Sequence, residues 1–172
     1  MGLQGPSGRA TEFPIAFAEG LLFVADFRNN RVSVFGADGS FVRTIGSGQL
    51  NRPFGIAYSN GHLFVTNYRG HSVSVFRMDG TFVRSWGSQG AGPGQLKNPY
   101  GIAVHGNRVL VSDRNHRVSV FRTDGSFVRS IGSEGEADHQ FQYPMSIACT
   151  DRAVYVADSD NERVRVLDAA AL

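Results

Sequence analysis

Few side chains in this 172-residue chain could carry covalent or metal chemistry. There are five histidines, His62, His71, His105, His116 and His139, and one cysteine, Cys149. A metal-assisted reaction needs about three such ligands brought to one point. His62 and His105 fall beside one set of turns, His71 and His116 in loops at the opposite end of the same strands, and His139 in a long connection. The sequence has no His-Glu-X-X-His and no Cys-X-X-Cys. Asp26, Asp113 and Asp158 do stand at one equivalent position, each closing an apolar run, but the fourth place is Asn67. A neutral residue there fits an acceptor for loop backbone N–H groups better than a required ring of anions. Cys149, in Ser146-Ile-Ala-Cys149, reads as a buried strand thiol rather than a nucleophile. These patterns predict no catalytic residue, no metal site and no cofactor.

Recognition chemistry is better represented. Phe27-Arg28-Asn29, Tyr68-Arg69-Gly70-His71 and Arg114-Asn115-His116 occupy equivalent loops, and Arg52 and Lys97 join them from neighbouring connections. Lys97 is the only lysine, so all other basic residues except the histidines are arginines, whose planar fork suits carboxylate, phosphate and aromatic faces. Aromatics beside arginines are equipped to stack on bases while meeting phosphates. They are equally the residue types of protein–protein hot spots. Ser159-Asp160-Asn161-Glu162 and Glu134-Gly-Glu-Ala-Asp138 bring acids to the same end, so the face is expected to be basic over its first three quarters and acidic over the last. The plainer reading is that Phe27 and Tyr68 cap the strands they follow and that the arginines are solvated.

A repeated line of sequence must position these loops. Val32-Ser-Val-Phe-Gly-Ala-Asp-Gly-Ser-Phe-Val-Arg returns with few changes from Val73 and again from Val118, and a truncated copy begins at Val164. A spacing of roughly 40–45 residues built from short strands is the pattern of a β-propeller blade. Within each repeat a proline (Pro14, Pro53, Pro99, Pro144) opens an inner strand, a. A turn such as Asn60-Gly61 leads to an almost wholly apolar strand b, as in His62-Leu-Phe-Val-Thr66. An apolar strand of that kind must be covered on both faces. Strand c is Val-Ser-Val-Phe, and an Asp-Gly turn leads to strand d, Phe-Val-Arg, whose arginine marks the solvated edge. The repeats run approximately 14–52, 53–98, 99–143 and 144–172. The last lacks its outer strand, because Ala169-Ala-Ala-Leu172 follows Asp168 without an Asp-Gly turn.

Composition agrees with an all-β chain. Twenty-one glycines and thirteen phenylalanines suit short strands and tight turns, and the net charge of +2 is slight. No apolar run approaches the roughly 18 residues of a membrane span. The N-terminus lacks the basic-then-apolar pattern of a secretory signal, and a lone cysteine allows no intrachain disulfide. A cytoplasmic location is the expectation.

Pro-X-Gly-Ile-Ala, Val-X-Asp, Asn115-His116-Arg117-Val118 and Asp-Gly-X-Phe-Val-Arg-X-Ile-Gly, followed by a glycine-rich link, together resemble the NHL repeat. The name-giving triplet is matched best by Asn115-His116-Arg117 and more loosely by Asn29-Asn30-Arg31, Gly70-His71-Ser72 and Asn161-Glu162-Arg163. The resemblance implies an NHL-type propeller similar to those of tripartite-motif-type ubiquitin ligases. Such propellers usually have six blades, so four repeats make an incomplete arc. Gly5-Pro-Ser-Gly8 resembles Gly90-Ala-Gly-Pro-Gly94, so the chain is expected to begin where a preceding strand d ends. An open arc exposes two blade faces and predicts self-association through them. The functional expectation is a non-catalytic protein-interaction scaffold. Single-stranded RNA binding on the b–c loop face ranks second. A metal-dependent lyase or lactonase, which the family resemblance also includes, ranks third.

Overall fold

In a computed structural model, residues 14–171 are described. The expectation that residues 2–13 form an interblade connection lies outside them. The described residues form fifteen strands, all paired antiparallel with their neighbours in sequence. Blade 1 is β1 (Ile15–Ala18), β2 (Leu21–Asp26), β3 (Arg31–Gly36) and β4 (Phe41–Ile45). Blade 2 is β5 (Pro53–Ser59), β6 (His62–Asn67), β7 (Ser72–Arg77) and β8 (Phe82–Trp86). Blade 3 is β9 (Ile102–His105), β10 (Arg108–Asp113), β11 (Arg117–Arg122) and β12 (Phe127–Ile131). Blade 4 has three strands only: β13 (Pro144–Cys149), β14 (Ala153–Asp158) and β15 (Arg163–Asp168). The four sheets are arranged as a four-bladed β-propeller.

Each blade is shaped by the same local chemistry. At the c–d turns, the Asp38, Asp79 and Asp124 carboxylates accept the backbone N–H two residues on, at 3.0, 2.8 and 2.8 Å. The Ser40 and Ser126 hydroxyls, followed by these backbone bonds, lower the pKa of Asp38 and Asp124, and the Thr81 backbone bond does most to lower that of Asp79. Gly39, Gly80 and Gly125 follow at φ of +83°, +96° and +97°, a conformation that excludes most side chains. The pairing of β3–β4, β7–β8 and β11–β12 then slips at one matching point. The slip sets Phe35 on Phe41, Phe76 on Phe82 and Phe121 on Phe127, with centroids 5.6–5.8 Å apart in edge-to-face geometry.

The apolar strands are covered on both faces because blades stack face to face. One core joins blades 1 and 2 through Phe23, Val32 and Val34 against Leu63, Val65 and Phe76. A second sets Phe64, Val73 and Val75 against Val109, Val111 and Phe121. A third sets Leu110 and Val118 against Val154 and Val156. Burying each large side chain contributes roughly 1.5–3 kcal/mol. At the inner edge the backbones nearly touch. A Cβ on Gly55 would lie 2.5 Å from the Tyr100 carbonyl oxygen, and one on Gly101 would lie 2.7 Å from that of Met145. Hydroxyls lock the same seam: Thr66 accepts from Gly55 N–H at 2.7 Å and donates to the Tyr100 carbonyl at 2.8 Å.

One register differs from the sequence reading. Pro14 does not sit where Pro53, Pro99 and Pro144 sit. Its carbonyl accepts from Ala25 N–H as that of Gly101 does from Ser112, and Ile15 pairs with Val24 as Ile56 pairs with Val65. Pro14 therefore occupies the place of Gly55 and Gly101. Cys149 ends β13 packed against the third core, partly rather than fully buried, and burial pushes its thiol pKa up.

Candidate binding face

Strand b of each blade ends in the acceptor that organises the loops. Asn67 Oδ1 accepts from Asn51 N–H at 3.1 Å, Asp113 Oδ2 from Lys97 N–H at 3.1 Å, and Asp158 Oδ1 from Gln142 N–H at 2.6 Å. Each bond ties the incoming connection to the blade it enters. Asn29, Asn115 and Asn161 donate to Asp26, Asp113 and Asp158 from within the b–c loops. The arginine that opens strand c completes the unit: Arg31 Nε lies 3.0 Å from Asp26 Oδ2, and Arg163 Nε 2.8 Å from Asp158 Oδ2. Arg117 lies 3.8 Å from Asp113 and donates to the carbonyls of Ala91 and Gln95 in the glycine-rich connection. Blade 2 changes both partners together. Asn67 replaces the acid, Ser72 replaces the arginine, and Asn67 Nδ2 donates to Ser72 and Ser74 hydroxyls. An unpaired buried charge is thereby avoided. These carboxylates hold loops in place, as their position predicted.

The two loop histidines have structural work. His71 and His116 take positive φ, at +52° and +56°. Their Nδ1 atoms accept the N–H of Asn98 at 3.0 Å and of Tyr143 at 3.3 Å, each at the entry to the next blade. Asn30, at φ +54°, does the same for Arg52 N–H at 2.8 Å. Nδ1 as acceptor requires the neutral tautomer with the proton on Nε2. Burial, and secondarily the Arg69 charge, push the His71 pKa below the usual histidine value. His116 Nε2 points towards the Glu134 carboxylate, 3.9 Å away.

Between these latches lies a continuous aromatic floor. Phe27 meets Phe54 at 6.3 Å and Tyr68 at 5.8 Å. Tyr100 meets both Phe54 and Tyr68 at 5.4 Å, then Tyr143 at 6.5 Å, and Tyr143 meets His116 at 5.3 Å. The rings are tilted 47–88° to one another, so they form edges and corners rather than parallel slots. Arginines close both ends. The Arg52 guanidinium stands 5.1 Å from the Phe27 centroid, and that of Arg114 stands 5.3 Å from the Tyr143 centroid while donating to the Tyr143 hydroxyl. The two cation–π pairs are reversed copies. Phe27 and Arg114 hold the first loop position, Arg52 and Tyr143 the last position of the following connection. Burial, and then the neighbouring Tyr68 phenol, push the Tyr100 pKa far above the usual tyrosine value.

The sequence-predicted residues therefore separate into two groups. Phe27, Tyr68, Arg52 and Arg114 come together on the floor. Arg28, Arg69 and Lys97 are exposed beside it. His71 and His116 are partly buried latches beneath its edge. Lys97, Arg114, His116 and Glu134 also line an open cavity of about 380 Å³ formed by the blade 3 b–c loop and the connections on either side of blade 3. Phe54, Tyr100 and Tyr143 were missed as site residues. The signal was present in Pro53-Phe54 and Pro99-Tyr100, but it was read only as the start of strand a. Among the described residues no three histidine, cysteine, aspartate or glutamate side chains are grouped to hold a metal ion. Among them, also, no helix is long and apolar enough to cross a membrane.

A family description of the NHL repeat matches residues 50–76, from the end of the first connection to the aromatic of strand c. No curated protein matches the chain. Among solved structures it is similar to the computationally designed Ika4 protein, at 14% identity and a TM-score of 0.64, over 98% of this chain and 99% of that one. It is similar to virginiamycin B lyase of Staphylococcus aureus, at 15% identity and a TM-score of 0.69, over 92% of this chain but 52% of the lyase. BamB of Moraxella catarrhalis aligns at 11% identity and a TM-score of 0.62, over 90% of this chain and 42% of its own. The chain thus spans about half the length of the two natural proteins. At these identities the likeness is one of fold.

Proposed function

We propose that the chain, a four-bladed β-propeller whose residues 50–76 match the NHL repeat, is a non-catalytic binding module which takes a polypeptide partner on its b–c loop face. The observation that supports this most is the aromatic floor bounded by Arg52 and Arg114 and flanked by exposed Arg28, Arg69 and Lys97. Tyrosine and arginine at the centre of a surface are the residues that anchor protein interfaces. The floor is apolar enough to seat side chains, and its cations suit carboxylates at the rim of a partner. The Asp113 and Asp158 carboxylates are engaged by backbone N–H groups, and Asp158 also by Arg163, so they serve to hold the loops. A cytoplasmic setting belongs to the same proposal.

Single-stranded RNA is the second reading, favoured by five cations around rings. Ring orientation weighs against it. Bases stack on exposed ring faces, whereas here Arg52 and Arg114 stand over the rings of Phe27 and Tyr143, Phe54 meets Tyr100 edge-on, and Tyr68 is tilted 47–55° to its neighbours.

Selection of a random peptide library on the immobilised protein, beside an anisotropy titration with a labelled mixed-sequence single-stranded RNA, separates the readings. Enriched peptides that lose binding to Tyr68→Ala and Arg69→Ala support the polypeptide reading. RNA binding at moderate salt that the same substitutions weaken, with a shallower salt dependence, would replace it with the nucleic-acid reading.

A further inference from the structure

The two end faces of the arc are the two halves of the packing unit that the chain already uses three times. Every internal junction sets one kind of blade face against the other. The face turned to the following blade carries a small residue on strand a, a large one on b and two valines on c: Ala57, Phe64, Val73 and Val75 in blade 2. The face turned to the preceding blade carries isoleucine on a, a branched pair on b and an aromatic on c: Ile56, Leu63, Val65 and Phe76 in the same blade. Strand register puts blade 4's free face in the first class, as Ala148, Tyr155, Val164 and Val166. It puts blade 1's free face in the second, as Ile15, Leu22, Val24 and Phe35.

Both faces keep interior residue types while lying open. Val164 and Val166 are 64% and 60% exposed, whereas their counterparts Val73 and Val75 are fully buried. Ile15 is 58% exposed, whereas Ile102 is 5% exposed. A solvated blade face would carry polar residues at alternate positions, as strand d does with Arg84 and Arg129. Among the described residues blade 4 holds the one unpaired face of its class and blade 1 the one unpaired face of the other. The sequence period that places them is the period of the buried junctions.

We propose that two copies of this chain associate head to tail, blade 4 of one copy stacking on blade 1 of the other, so that the packing of the three internal junctions continues across the chain boundary. Unlike faces meet at each contact, so the pairing closes only when both ends of both copies are engaged, giving a two-fold ring of eight blades. This inference does not depend on what the loop face binds.

The test uses the 172-residue chain itself. Sedimentation equilibrium or light scattering of the wild type should give twice the monomer mass of 18.7 kDa. Val166→Arg and Phe17→Arg lie on the exposed faces of blades 4 and 1 and leave the internal cores untouched; circular dichroism checks that each still folds. Each substitution alone should weaken self-association by ~30-fold or more. Mixing the two variants should restore a dimer, because one junction in the mixed pair then joins two unaltered faces. A wild-type monomer up to ~100 μM, well above the Kd of a specific interface, overturns the proposal. So does a dimer that survives either substitution, which would place the contact elsewhere, or a mixture that stays monomeric.

Discussion

The smallest working unit in the chain is the acceptor that closes strand b with its partners. Asp113 is fully buried, and its pKa is raised by desolvation, opposed chiefly by the Lys97 N–H bond and the Arg117 charge. Blade 2 shows the neutral version of the unit in Asn67 and Ser72. Arg117→Ser alone should therefore destabilise the fold by ~2–3 kcal/mol, and adding Asp113→Asn should recover ~1–2 kcal/mol of it, a coupling that urea titration of the four-member cycle reads directly. A loss in the double variant equal to the sum of the two single losses would show that the charges act independently. His71 gives a second residue-scale prediction. Its folded pKa lies below the unfolded value, so the unfolded chain binds the proton first as pH falls. The His71 contribution is then complete above about pH 6.5 and declines as pH drops below it. His71→Asn keeps an acceptor for Asn98 N–H, as Asn30 does for Arg52, and removes the titration. Thermal melts between pH 5 and 7 should show a shallower acid slope for this variant, and an unchanged slope would contradict the latch role. The Asn-His-Leu-like triplet was visible in the sequence. Its task was not, because the N–H it captures belongs to the next blade and the positive φ that aims the ring carries no sequence mark outside glycine.

At the scale of elements, the seam between inner strands is the most constrained feature. The Cβ of Gly101→Ala would meet Met145 backbone oxygen at 2.7 Å and Ser146 Cα at 2.9 Å, neither of which can rotate away. The substitution should cost ~2–3 kcal/mol, whereas Gly106→Ala, in an open turn at φ +56°, should cost about 1 kcal/mol. Denaturant midpoints of the two variants check the order, and a larger loss at Gly106 would refute the seam argument. The strands themselves were legible: apolar b strands, the Val-Ser-Val-Phe c strands and the Asp-Gly turns all stand where their chemistry places them. The reading failed at Pro14, where a proline shared with the other repeats suggested a register that the hydrogen bond from Ala25 corrects by two residues. Proline marks a strand start but does not fix which start. Strand pairing does, and that depends on a partner strand.

At the scale of the molecule, repetition made the propeller readable and also hid its binding face. Each blade contributes one or two rings to the floor, and no single repeat contains a site. Phe54, Tyr100 and Tyr143 become neighbours of Phe27, Tyr68 and Arg114 only when consecutive blades stack. Loop position alone therefore identified half of the floor. The same stacking that assembles it leaves interior faces open at both ends of the arc. The loop face and the end faces point in different directions, so binding and self-association can be separated by substitution.

The most direct test of the account is a titration of one library-selected peptide onto three proteins: the wild type, Tyr68→Ala on the floor and Arg108→Ala at the opposite end of the strands. The account predicts affinity at least ~10-fold weaker for Tyr68→Ala and unchanged for Arg108→Ala. Unchanged affinity for Tyr68→Ala with a loss for Arg108→Ala would place recognition on the a–b turn face and contradict it.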